Sequence, residues 1–304
     1  MVSQLGIINY KAHKFVRKYS SMILKVNCRI ISDAKEGIGN MQNNINYIAG
    51  IMKRAEVLVI SLVLISLSAV PVAAFDFSDW DALIKKHVSL KKVDGVMINA
   101  VNYKNLKGDE EFKKLALRLN SVREESLKTR DEKLAFWINT YNILAAKMVA
   151  DRFPIKSIKD AGSFFNKVWK KPAGHVAGKE RTLNEIEHEI LRKMDEPRIH
   201  VAIVCASVSC PDLRLEAFKA DSLNEQLNDQ MTRFLQSPEK GMRIDKNSNR
   251  VYLSSIFKWF DDDFESRGGV LKFISGYVSP EAAKALSNSR IDVSYLDYNW
   301  GING

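Results

Sequence analysis

The sequence predicts an α+β fold: a helix-rich single domain around a small β-sheet, with a buried central helix. Three observations carry that expectation. Two apolar-periodic runs open on capping patterns and read as helices, while the Val- and Ile-rich run "RIHVAIVCA" reads as a strand. No long Pro-, Gly- or Ser-rich linker interrupts residues 75–304, so they read as one domain.

Residues 76–92 form an amphipathic pattern with Ser78 or Asp79 as cap and Trp80, Leu83, Ile84 and Val88 apolar, which predicts a first helix. Asp94-Gly95 marks a turn, a short extended piece follows, and a second helix is expected to start near Asp109. Thr129-Arg-Asp-Glu132 is a capping box, in which a Thr hydroxyl and a Glu carboxylate satisfy free amides at a helix start. The helix it opens runs to Pro154. Leu134, Trp137, Ile138, Tyr141, Leu144, Ala145 and Met148 share one face and Phe136 and Ile143 lie opposite, so this helix should be buried nearly all round. Asn139 and Asn142 sit three apart on one flank, where their amides need partners. Either both tie the helix to loops or one of them, Asn139, orients a catalytic group.

Thr182-Leu-Asn-Glu185 is a second capping box, opening a helix whose apolar arc is Leu183, Ile186, Ile190 and Leu191. The same projection puts Glu187 inside that arc and His188 at its edge. A carboxylate in such a place needs a partner or a proton, and Arg181, Arg192 and Arg198 are the candidate partners. A structural buried pair and a general acid or base are the two readings of Glu187. "RIHVAIVCA" follows as the central strand, bounded by Pro197 and a Ser-rich loop. Alternation then separates His200, Ala202 and Val204 from Ile199, Val201, Ile203 and Cys205, so His200 and Cys205 should not meet. Downstream come a helix in "SLNEQLNDQMTRFLQS", a hairpin in "MRIDKNSNRVYLSSIF", helical pieces at "FKWF" and "VLKFISGYV", and strand alternation in "IDVSYLDYNWGING".

The net charge of +10 over 304 residues is unevenly spread. Residues 1–51 hold seven Lys/Arg against Asp33 and Glu36, and only a mild basic excess remains beyond residue 74. With no basic stripe interleaved with aromatics, nucleic acid is not an expected partner. "MKRAEVLVISLVLISLSAVPVAAFDF", from Met52, has the basic, apolar and small-residue order of a secretory signal peptide, with cleavage placed after Ala74. Residues 52–74 are therefore expected to be a leader, residues 1–51 a mis-assigned N-terminal extension, and residues 75–304 an exported domain, periplasmic or secreted. The membrane is expected to be met only through the leader.

On that reading Cys28 is irrelevant and the mature domain keeps only Cys205 and Cys210. In an oxidising compartment the two pair by default. The sharper alternative is a thiol-dependent hydrolase or acyltransferase, with Cys205 as nucleophile, His188 as its imidazole, Asn139 as an orienting amide and Glu187 as a further acid or base. The opposing class is a non-catalytic binding or scaffold module framed by a Cys205–Cys210 disulfide. Its sign would be an aromatic groove for a peptide or small molecule, with Trp169, Trp259 and Trp300 as candidates. Zinc is disfavoured because Cys-x4-Cys with scattered histidines lacks paired ligand spacing. Ser207 and Ser209 lack a Gly-x-Ser-x-Gly elbow and read as loop residues making local hydrogen bonds. No cofactor is expected.

"DGVMINAVNYKNLK", "EKLAFWINTYN", "TLNEIEHEILR", "PRIHVAIVCASVSCPDLR", "SSIFKWF" and "YLDYNWGIN" together resemble the domain-of-unknown-function 547 family of bacterial secreted and plant proteins. The resemblance spans about residues 92–302. It implies an exported bacterial domain and carries no assigned activity. Asn102 stands where the family tends to have an acidic residue.

Overall fold

The helix that opens residues 75–304, α1 (Ser78–His87), buries Trp80, Leu83 and Ile84 as its pattern requires. It belongs to a computed structural model that describes residues 75–162 and 168–304, with a few isolated earlier positions. The chain divides into two units, Met1–Pro71 and Val72–Gly304, and only the second is described here. The expected leader and the expected extension before it lie, apart from those isolated positions, outside the described residues. Among the described residues no helix is long and apolar enough to cross a membrane.

Helix α1 stops at His87 rather than near residue 92, because Val88–Val93 is strand β1, paired antiparallel with β2 (Val96–Val101). Asp94 and Gly95 both take positive φ, 48° and 86°. That is the two-residue turn that matches strand twist and favours Asp-Gly. Neither Ser78 nor Asp79 caps α1; the Asp76 carboxylate instead accepts from the Ser78 amide and hydroxyl at 2.9 Å. Asn102 caps α2 (Tyr103–Lys107), and Asp109 caps α3 (Glu110–Arg118) as expected.

Helix α4 (Arg130–Arg152) carries both halves of its capping box and is buried on every face along its middle. Strands β3 (Pro172–Val176) and β4 (Lys179–Thr182) form a second hairpin. The helix after it begins as expected, the Glu185 amide donating to Thr182 Oγ1 at 3.0 Å. The box does not close, because Arg181 takes the Glu185 carboxylate, and Glu185–Leu191 winds as a π-helix.

The expected central strand is a correction: α5 (Ile199–Ala202) is a single helical turn. The amides of Ile199, His200 and Val201 donate to the carbonyls of Glu196, Pro197 and Arg198 at 3.1–3.2 Å. Pro197 starts a helical turn, where its fixed φ fits, instead of bounding a strand. Periodicity cannot separate the two for a short buried run.

Helix α6 (Leu223–Leu235), the β5 (Met242–Asp245) and β6 (Arg250–Leu253) hairpin, α7 (Ile256–Trp259), α8 (Val270–Ile274), α9 (Pro280–Leu286) and β7 (Asp292–Tyr295) complete the α+β domain. Strand β7 joins β6 in parallel, so among the described residues the β structure is three small sheets and not one. Two apolar clusters result, one around α4 and one joining α6, β6 and α7. Helix α5 sits in both, Ile199 and Ala202 in the first and Val201 in the second.

Candidate functional site

A cavity of about 350 Å³ takes its lining from both clusters, for instance Ile203 and Cys210 from the first and Ile256 and Phe260 from the second. Its size is that of a small-molecule site.

The cysteine loop forms one wall. Cys205 and Cys210 are joined by a disulfide, with Cα atoms 6.3 Å apart. The loop is held from behind by Asn142 of α4, whose amide donates to the Ala202 carbonyl at 3.0 Å and accepts from the Val204 amide at 2.8 Å. From the other side the chain's closing segment pairs with it: Val208 N donates to Gly301 O at 2.8 Å, and Asn303 N to Ala206 O at 3.1 Å. The Tyr298 hydroxyl lies 3.4 Å from Cys205 Sγ and 3.2 Å from Cys210 Sγ. Ser209 Oγ accepts from the Asn299 amide at 2.9 Å, a bond to the closing segment and not the local loop bond expected.

Glu187 projects from the π-helix and is 8% exposed. Its burial follows the projection, but its partner does not. The Tyr141 hydroxyl donates to Glu187 Oε2 at 3.2 Å. None of the three arginines named above pairs with it: Arg181 is bound to Glu124 and Glu185, Arg198 to Glu196, and Arg192 to Asp263. Burial therefore prevails over the Tyr141 bond and the Arg192 charge, and the carboxyl is raised to about 7.

Two imidazoles share the cavity. His188 Nδ1 accepts from Arg192 Nη1 at 3.0 Å, and burial with the Arg192 charge lowers its pKa. His200 bonds Asp263 Oδ2 through Nε2 at 2.6 Å and stacks on Phe260 at 4.0 Å. Its Nδ1 is buried without a hydrogen-bond partner among the described residues. Burial favours neutral His200, against the pull of Asp263. Asp263 also takes Arg192 in a fork at 2.6 and 2.7 Å. Burial opposes its ionisation, yet His200 and Arg192 together hold the carboxyl well below the usual range.

The remaining wall is aromatic. Trp259 stacks on Trp300 at 5.6 Å, Trp169 meets Trp300 edge-on at 5.6 Å, and Tyr298 lies 4.4 Å from Trp300. Trp259 is 45% exposed, a large apolar surface left open beside the cavity.

Of the four residues singled out for chemistry, Cys205, His188 and Glu187 come to this one cavity. Asn139 does not line it: its side chain accepts from the Phe218 amide at 2.9 Å and donates to the Phe218 carbonyl at 2.8 Å, tying helix to loop. The loop-positioning amide is Asn142. Loss of the strand also removes the separation expected of His200 and Cys205, which both face the cavity. Asp263, Tyr141 and Tyr298 were not legible as site residues. Among the described residues no three His, Cys, Asp or Glu side chains converge as a metal's ligands would.

Opening the loop gives a direct check on the disulfide. Denatured protein without reductant should show no free thiol at 205 or 210, and Cys205→Ser and Cys210→Ser should each lower stability by about 2 kcal/mol. A chemical-denaturation series that separates the two mutants would contradict a shared framework role.

The fold and cavity define an α+β domain with a buried acid, two neutral imidazoles and an aromatic wall around a disulfide loop. Residues 125–235 match the family model described as "Protein of unknown function, DUF547", which supports a DUF547 assignment for that part of the chain. The match includes α4, the π-helix, the cysteine loop and α6, whereas Trp259, Asp263, Tyr298 and Trp300 lie beyond it. No curated protein and no solved structure matches the chain.

Proposed function

We propose that this is an exported protein whose domain takes a small molecule, or a side chain of a peptide, into the aromatic cavity, with the Cys205–Cys210 disulfide as framework. The observation that carries the reading is the convergence of Trp169, Trp259 and Trp300 on one cavity from positions far apart in the chain. Such rings supply large apolar contact area with well-fixed geometry. A fragment screen read by tryptophan fluorescence tests it: hits should perturb emission in the wild type and lose affinity in Trp259→Ala. Hits indifferent to Trp259 would place binding elsewhere.

Export is supported by the leader pattern after Met52 and by a cysteine pair of the kind that persists in oxidising compartments. Expressed in a Gram-negative host, the protein should be recovered outside the cytoplasm with Phe75 at its N-terminus. Mature protein that retains residues 1–51 by mass spectrometry refutes this.

A second reading, thiol hydrolase or acyltransferase after reduction of the loop, is favoured by one specific arrangement. Partly exposed Cys205 faces the same cavity as His188 and as His200, whose other nitrogen is held by Asp263. An imidazole oriented by a carboxylate is what thiolate activation requires. Reduced protein should then alkylate at Cys205 faster than a model thiol at neutral pH, and His188→Ala or His200→Ala should slow it. Rates equal to the model thiol in all three proteins remove the reading.

A further inference from the structure

We propose that the ligand of this cavity is a cation: an ammonium or quaternary ammonium head group seated between the tryptophans and the Glu187 carboxylate. The proposal rests on the binding reading above and adds the ligand's charge to it.

Among the described residues Glu187 is a buried acid without a cation, and its one hydrogen bond there comes from a neutral phenol, Tyr141. A buried carboxylate is stable as an ion only when paired, and among the described residues none pairs with it. The neighbouring charges do not change this. Arg192 is committed to Asp263 in a two-pronged bond, and His188 and His200 are pushed toward their neutral forms. Tyr298, also buried, stays a phenol because burial raises its pKa. Lys170 lines the cavity but is exposed, where solvent screens its charge.

The aromatic wall has the same preference. Ring faces carry negative potential and attract cations. Trp300 already demonstrates it, because the ammonium of Lys159 sits 3.6 Å from its ring centroid. Trp259, Phe260 and Trp169 line the same cavity. An anionic ligand would meet a carboxylate and electron-rich faces, and a neutral one would gain from neither. A cation gains from both and supplies the partner that Glu187 lacks.

The test compares choline with 3,3-dimethyl-1-butanol, its neutral isostere of nearly identical shape, by calorimetry and tryptophan fluorescence on the intact oxidised protein. At about pH 8, where Glu187 is ionised, choline should bind about tenfold more tightly than the isostere. The preference should shrink at about pH 5.5, because the acid must lose its proton to pair with the ligand. Glu187→Gln should abolish most of it, and Trp259→Ala, at an exposed position that does not threaten folding, should reduce it. Equal binding of the two probes overturns the cation proposal while leaving the cavity reading intact, as does a preference that survives in Glu187→Gln. If neither probe binds, the cation proposal also falls, and the fragment screen with Trp259→Ala decides separately whether the cavity binds anything.

Discussion

Glu187→Gln is expected to erase about 3 kcal/mol of pH-dependent stability from this domain. The unfolded carboxyl titrates near its ordinary value of 4.5, whereas the folded one is raised to about 7 by burial. Between those values the folded state binds more protons than the unfolded state. The stabilisation is therefore fully present below about pH 4.5 and is lost as pH rises through about 7. His188 and His200, whose folded pKa values are lowered, act in the opposite sense below their unfolded value, so the wild-type curve alone would mix the effects. The difference between wild type and Glu187→Gln isolates the acid. Denaturant unfolding at half-unit pH steps should show the variant gaining about 3 kcal/mol relative to wild type from pH 4.5 to 8. A pH-independent difference would mean that Glu187 does not titrate with a raised pKa.

Asn142→Ala should cost about 3 kcal/mol, because it strands the Val204 amide and the Ala202 carbonyl in the core and removes the side chain that bonded both. Asn139→Ala should cost a similar amount through Phe218. The two should part in a second measurement. Only Asn142 holds the segment leading into the cysteine loop, so only its loss should speed amide exchange at Val204 and hasten reduction of the disulfide. Glu189→Ala, at an exposed position, should stay within about 0.5 kcal/mol. Equal exchange and reduction rates in the two asparagine variants would deny Asn142 its positioning role.

These residues also mark where sequence reasoning reached and where it stopped. Local chemistry was legible: Asp94-Gly95 turns, Asp109 and Thr129 cap, and α4 is buried on all sides because apolar residues occupy all its faces. Glu187 was legible as buried, since even a π-wound turn keeps it beside Ile186 and Leu191 on the inner side. Its partner was not, because which arginine meets which carboxylate depends on packing between distant segments. Arg192 found Asp263, seventy-one positions away, and left Glu187 to a phenol. "RIHVAIV" misled because burial on all sides erases the alternation that separates strand from helix, and the turn at Pro197 decided the matter. Asn139 and Asn142 looked equivalent along the helix. Only the loops packed against them distinguish a tie to Phe218 from a clamp on the cysteine loop.

The pairing of the closing segment with the cysteine loop has a consequence for how the molecule is assembled. Tyr298 and Trp300 reach the cavity from near the chain's end, and that segment is anchored by Tyr103 OH to Asn303 Oδ1 and by Asn299 to Asp94, contacts spanning 200 and 205 positions. Contacts of such separation carry the largest loop-closure entropy and tend to form late in folding. The two cysteines are only five positions apart and can find each other long before that. Oxidation of the loop is thus free to precede completion of the site. The aromatic cavity is complete only once the chain's closing residues have docked on segments some two hundred positions earlier.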